Sequence, residues 1–142
     1  MSEESRTPDL VERMREMTEA ANAQDFDTAD SYYAPNAVWD SSRTGVGSFE
    51  GAETIRRFFE DWRGNYEEWE IGLEELLDIG NGVLFTVVRQ AGRPVGATGY
   101  VRQREGWVWA WVEGLIDSVT TYPEADIDEA RAAAERLAEE RG

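Results

Sequence analysis

Residues 107–116, Trp107-Val108-Trp109-Ala110-Trp111-Val112-Glu113-Gly114-Leu115-Ile116, place a tryptophan at every second position up to a Glu-Gly pair. A period of two is that of a β-strand, so the three indoles share one face. Glu113-Gly114 then turns the chain into a partner strand, Leu115 to Tyr122. Working backwards, Val95 to Val112 reads as one long, bent strand, Ala91-Gly92-Arg93-Pro94 as a turn, and Val83 to Gln90 as the strand before it. Gly80-Asn81-Gly82 tolerates positive φ and reads as a hairpin turn. Ahead of it the apolar positions Trp69, Ile71, Leu73, then Leu76, Leu77 and Ile79 change parity, which predicts a strand with a bulge. The second half of the chain is therefore a meander of antiparallel strands.

The first half is mostly helical. Thr7 and Pro8 read as an N-cap and first helical residue, followed by Leu10, Met14, Met17 and Ala21 at spacings of three and four. A short helix from about Phe26 to Tyr33 ends at Ala34-Pro35, and Ala37-Val38-Trp39 reads as a brief strand delivering Asp40 at its end. Ser41 to Phe49 has no periodicity and reads as a loop. Ile55, Phe58, Phe59 and Trp62 mark a third helix with Gly64 as C-cap. After the strands, Asp126 with Glu129 and the alanines at 130, 133, 134 and 138 predict a C-terminal helix. Helices followed by a strand meander, with no repeat and no linker, give one domain over residues 1–142, of α+β class, with helices on one face of a curved sheet.

Composition limits the chemistry. The chain has 142 residues, 41% of them hydrophobic, and a net charge of -16, from 14 arginines against 30 acidic residues. That charge repels phosphate backbones and anionic lipid, so nucleic acid and membrane surfaces are poor partners. The acidic N-terminus lacks a signal-peptide pattern and no stretch reaches about 18 apolar residues, so a cytoplasmic location is expected. Cysteine, histidine and lysine are all absent. Thiol nucleophiles, His-assisted serine triads, lysine Schiff bases and His or Cys metal sites fall away, and neither a metal nor another cofactor is expected. What remains is carboxylate, tyrosine and arginine chemistry beside six tryptophans.

Four strings in order are Asn-Ala-Gln-Asp-Phe-Asp at 22–27, Tyr-Ala-Pro-Asn-Ala-Val-Trp-Asp at 33–40, Phe-Glu-Gly-Ala-Glu-Thr-Ile-Arg-Arg-Phe-Phe at 49–59 and Val-Glu-Gly-Leu-Ile at 112–116. With them the chain resembles the nuclear transport factor 2-like superfamily, in its SnoaL-like polyketide cyclase branch. The resemblance implies a cone-shaped α+β barrel around an apolar cavity, N-terminal helices over the concave face, and a dimer. It does not imply one activity, because the superfamily spans isomerases, epoxide hydrolases, cyclases, dehydratases and noncatalytic domains. In ketosteroid isomerases a general-base Asp ends the first strand, and its nearest counterparts here are Asp40 and Ser41. The helix-one tyrosine of those enzymes falls near Met17 and their carboxylic acid on the long strand near Trp107. The Arg-x-Asp pair of limonene-epoxide hydrolases maps to Arg89 and Ala91, and the partner Asp to Thr121, so the arginine alone is retained.

Asp40 is the expected acid/base residue, raised in pKa if it opens on an apolar pocket and otherwise an Asx-turn cap. Arg89, sharing a face with Val83, Phe85 and Val87, is the expected stabiliser of negative charge on oxygen, or else a strand-end cation that reaches water. Trp107, Trp109 and Trp111 are expected on the concave face as ligand contacts, the alternatives being a dimer interface on the convex face or plain core packing; Tyr33, Trp39, Trp62 and Thr121 are expected to join them, with core packing the other use of Tyr33 and Trp62. A small apolar or aromatic molecule is the expected partner. Glu67, Glu68, Glu70, Glu74 and Glu75 read as a solvated face. Two functions remain open: a cofactor-independent isomerase, cyclase, dehydratase or hydrolase, and a noncatalytic binding or assembly domain whose cavity the tryptophans fill. A homodimer through the outer face of the sheet is expected, since three or four helices leave that face uncovered.

Overall fold

The computed structural model describes residues 9–142, so Thr7 and Pro8 lie outside the described residues. Helix α1 (Leu10–Asn22) starts one residue after Asp9, whose carboxylate accepts the Glu12 backbone N–H at 3.1 Å and supplies the N-cap. Met14, Met17 and Ala20 form its buried stripe. The short α2 (Phe26–Asp30) leads into β1 (Tyr33–Ser41), longer than the three-residue strand expected. The stretch from Ser41 to Phe49 is not all loop: a 3-10 turn at Ser42–Thr44 is followed by β2 (Gly47–Glu50), which pairs with β1 through Trp39 opposite Phe49. Such a strand has no apolar period because its pairing, not its burial, defines it. Helix α3 (Ala52–Gly64) runs through Gly64 and is capped by Asn65.

The meander follows as β3 (Tyr66–Gly80), β4 (Val83–Pro94), β5 (Val101–Val112) and β6 (Leu115–Pro123). The expected turn at Ala91–Pro94 is in fact the end of β4, with Gly92 paired to both Trp69 and Val101, and the chain reverses over residues 95–100. Gly92 is there for space. A Cβ on it would lie 2.7 Å from the Tyr66 ring and 3.1 Å from Trp69, so glycine lets two aromatic rings pack against the strand. The bulge expected in β3 is present between Leu73 and Glu75, and Asn81 takes a φ of 56° in the hairpin. Helix α4 (Ile127–Arg141) closes the chain after a 3-10 turn, and Asp126 makes no side-chain cap to it.

Among the described residues the strands form a six-stranded sheet in the order β2-β1-β6-β5-β4-β3, antiparallel except where β1 runs parallel to β6. The sheet curves without closing, with β2 and β3 as edges. Its concave face carries Trp39, Leu84, Val88, Trp107 and Trp109, covered by Met14 and Met17 of α1 and Ile55 of α3. Asn22 ties α1 to the edge strand by accepting the Ile71 N–H and donating to the Ile71 carbonyl, at 2.8 and 2.9 Å. The opposite face carries Val83, Phe85, Val87 and Val108 against Ala130, Ala134 and Ala138 of α4. Burial on both faces explains why Val83–Val88 is buried throughout, apolar except for Thr86, without alternation. The outer face is the expected dimer surface, and α4 occupies the part of it over β4 and β5. Alanines on α4 and Gly106 on β5, where a Cβ would lie 3.1 Å from the Ala130 Cβ, let helix and sheet approach closely.

Beyond α4, the outer face is held by ions. Glu74 accepts from Arg89 at 2.9 Å and from Arg104 at 2.8 Å, and these hydrogen bonds, Arg104 first, lower its pKa to about 2. A folded-state pKa below the unfolded value near 4.5 contributes stability present above pH 4.5 and lost as pH falls towards 2. Chemical denaturation of Glu74→Gln is expected to show a smaller decline than wild type over that window, the remainder coming from other carboxyls held low, Glu67 and Glu68 among them. Equal acid sensitivity in both proteins would contradict it.

Candidate functional site

Between the concave face and helices α1–α3 lies a cavity of about 130 Å³, counted as space for water centres. One water needs roughly 10–15 Å³ by that measure, so this is room for a small molecule. The sheet contributes Trp39, Trp107 and Trp109, and the helices contribute Met17, Phe59 and Trp62. Trp39 stands at the centre of the wall. Its ring meets Phe59, Trp107 and Trp109 edge to face, with centroids 4.9, 5.0 and 5.9 Å away, and its Nε1 donates to Ser41 Oγ at 2.7 Å. Thr121 Oγ1 donates to the same oxygen at 2.9 Å. The Trp109 N–H is held by Thr86 Oγ1 at 2.9 Å. With their polar edges satisfied inside the wall, these two indoles present hydrocarbon to the cavity.

Tyr33, Trp39, Trp62, Trp107 and Trp109 line the cavity as expected; the other four expected residues do not. Trp111 shares the inner face but packs with Met14, Leu84 and Ile116 in the solid part of the core. A register shift between Ala110 and Trp111 sets it off from its two neighbours. Thr121 is buried behind Ser41 and acts through that hydroxyl. Asp40 points away: its Oδ1 accepts from Ser42 Oγ at 2.6 Å and from the Ser42 N–H at 3.0 Å, an Asx turn at the surface. Those two bonds, the side-chain one first, lower its pKa, the opposite of what an acid/base residue in an apolar pocket would show. Arg89 does share a face with Val83, Phe85 and Val87, but that face is the outer one, where it pairs with Glu74.

The carboxyls that do reach the cavity are Glu105 and Asp30. Glu105 sits two residues before Trp107 and so on the same face of β5, and its Oε1 accepts the Trp107 indole N–H at 2.7 Å. Burial pushes its pKa up, against the opposing effect of that hydrogen bond. Burial likewise raises Asp30, with Arg56 opposing. Tyr33, three residues after Asp30, is half-buried, and desolvation drives its phenol far above the ordinary range, so it stays protonated. The parity that placed the tryptophans also placed Glu105, and extending it two residues was the signal available in the sequence.

A curved, mostly antiparallel sheet with helices over its concave face and an aromatic cavity beneath them defines an α+β fold of the nuclear transport factor 2-like kind. Residues 14–119 match the SnoaL-like domain, and the chain belongs to that family. The sequence has no significant match among curated proteins. Similar solved structures include a ketosteroid isomerase-fold protein of Catenulispora acidiphila in complex with trimethylamine, at 14% identity and TM-score 0.69 over 82% of this chain and 85% of that one. A Mycobacterium tuberculosis LEH-like epoxide hydrolase matches at 15% identity and TM-score 0.68, over 87% and 90% of the two chains. TerC co-crystallised with polyporic acid matches at 12% identity and TM-score 0.70, over 91% and 97%. Among the described residues no helix is long and apolar enough to cross a membrane.

Proposed function

We propose that this SnoaL-like domain binds a small apolar, ring-bearing molecule in the aromatic cavity and acts on it by carboxylate acid/base chemistry through Glu105. The observation that carries this reading is a carboxyl in the wall of an apolar cavity, with its pKa raised by burial and one indole N–H as its only hydrogen-bond donor among the described residues. Such a group exchanges a proton nearer neutral pH than a solvated carboxylate does. Isomerisation, cyclisation, dehydration and hydrolysis are all within reach of one carboxyl with a water or a phenol such as Tyr33. Noncatalytic binding is the second reading, favoured by the placement of Asp40 and Arg89 outside the cavity. The neighbours' ligands, trimethylamine in one and polyporic acid in another, leave the ligand's charge to be argued from this chain's own residues.

Fluorescence titration with the neutral ring compound N-phenyl-1-naphthylamine tests binding, and NMR titration of Glu105 tests the chemistry. The probe is expected to bind once per chain and to quench indole emission. Glu105 is expected to titrate above the ordinary value of about 4.3 and to move higher when the probe displaces cavity water. Once a substrate is in hand, Glu105→Gln is expected to lower turnover by about 100- to 10,000-fold with little change in affinity. Failure of the probe to bind would reject the binding site. An ordinary Glu105 pKa that ignores the probe would leave binding without catalysis.

A further inference from the structure

Four features of the cavity bear on the charge of its ligand. Its walls are aromatic, with Trp39, Trp62, Trp107 and Trp109 among the lining residues, and aromatic rings attract cations through the quadrupole. Glu105 and Asp30 both reach the cavity, and among the described residues neither forms a salt bridge. The lining also holds two arginines. Arg56 is held by Asp27 at 2.7 Å and Glu60 at 3.2 Å, while Arg63 donates through Nη1 to the Tyr66 carbonyl at 2.8 Å and, among the described residues, forms no salt bridge and has no hydrogen-bond partner for its buried Nε. Finally, a chain carrying -16 charges concentrates cations around itself and depletes anions.

We infer that the ligand of this cavity is an organic cation, a protonated amine or quaternary ammonium on an apolar body, held between indole faces and the Glu105 carboxylate with Asp30 as a second negative charge. This rests on the binding reading above and specifies the substrate class for the same site. Burial disfavours ionisation of both carboxyls, offset in part by Arg56 at Asp30, and an arriving ammonium supplies the counter-charge that Glu105 lacks. A neutral ring compound would gain the hydrophobic contact alone. An anion would meet two carboxyls, with Arg63 as the lining guanidinium that has no carboxylate partner among the described residues.

Three probes of one shape separate the charges: choline, its neutral isostere 3,3-dimethylbutan-1-ol, and the anion 3,3-dimethylbutanoate, each titrated calorimetrically at matched ionic strength. Choline is expected to bind about tenfold more tightly than the alcohol, the advantage that cation–π contacts and a desolvated carboxylate give together, and the anion most weakly. Glu105→Gln keeps an oxygen for the Trp107 N–H and is expected to cut the preference for choline by about threefold, the part that the indoles and Asp30 supply remaining. Asp128→Asn removes one charge from the exposed side of α4 and is expected to leave the preference intact, which separates the site from the field of the whole chain. Asp30→Asn provides a second arm, with a smaller loss expected. Equal binding of choline and the alcohol, tightest binding of the anion, or a cation preference untouched by both cavity variants would each overturn the inference. If N-phenyl-1-naphthylamine binds under those outcomes, the cavity remains a ligand site and only its charge preference has been misassigned.

Discussion

Trp39→Ala is expected to destabilise the protein by about 3–5 kcal/mol, the range for deleting a large buried aromatic, and to lower probe affinity at the same time. The residue is 2% exposed and joins the elements that build the cavity, since its ring touches Phe59 of α3 and Trp107 and Trp109 of β5. Truncation removes three edge-to-face contacts, opens a void that β1 cannot close because it is paired on both sides, and leaves Ser41 without its indole donor. Trp39→Phe keeps most of the packing but not the N–H, and about 1 kcal/mol is expected from the lost hydrogen bond. Urea unfolding monitored by far-ultraviolet circular dichroism measures both. A loss below about 1 kcal/mol for the alanine variant would mean the wall collapses around the gap, contrary to the close packing described.

Gly82→Ala is the other large effect, expected at about 2–4 kcal/mol from backbone strain and overpacking together. Gly82 has a φ of 80°, and a Cβ there would lie 2.7 Å from the Trp111 backbone carbonyl. Nothing near it yields easily. The Trp111 carbonyl accepts from Arg141 at 2.8 Å, and Asn81 in the same turn donates to the Ala138 carbonyl at 2.6 Å, so the turn is where the C-terminal helix is fastened to the sheet. Gly80→Ala, with a φ of 113° and no atom within 4 Å of its Cβ, isolates the backbone part of the penalty. Thermal unfolding of the pair should rank Gly82→Ala well below Gly80→Ala. Equal losses would show that the carbonyl moves aside. Amide exchange in α4 is expected to accelerate in the Gly82 variant before it does elsewhere.

Local signals were legible to different depths. Positive φ at Asn81 and Glu113 follows from turns that can be read directly, because only a tight reversal brings two alternating strands into register. Gly92 and Pro94 carry the same residue types as a turn, yet they belong to β4, because the space for Tyr66 and Trp69 is a requirement set by β3. Strand β2 escaped notice for a related reason: it is an exposed edge, defined by hydrogen bonds to β1 rather than by any apolar rhythm.

By itself the sequence determined the α+β class, the helix stripe of Met14 and Met17, and the sharing of one face by Trp107 and Trp109 and of another by Val83, Phe85, Val87 and Arg89. These follow from the periods of helix and strand, which are properties of a few residues at a time. Tertiary structure alone decided which of the two faces is the inside. The alanines of α4 took the face bearing Arg89 and left that arginine beyond the helix with Glu74, while α1 and α3 enclosed the other face with Glu105 upon it. It also decided that Asp40, at the end of β1, turns to Ser42 and water rather than into the cavity. Parity assigns side chains to faces; the curvature of the sheet and the docking of the helices assign those faces to solvent, core or ligand, and that assignment depends on contacts between distant parts of the chain.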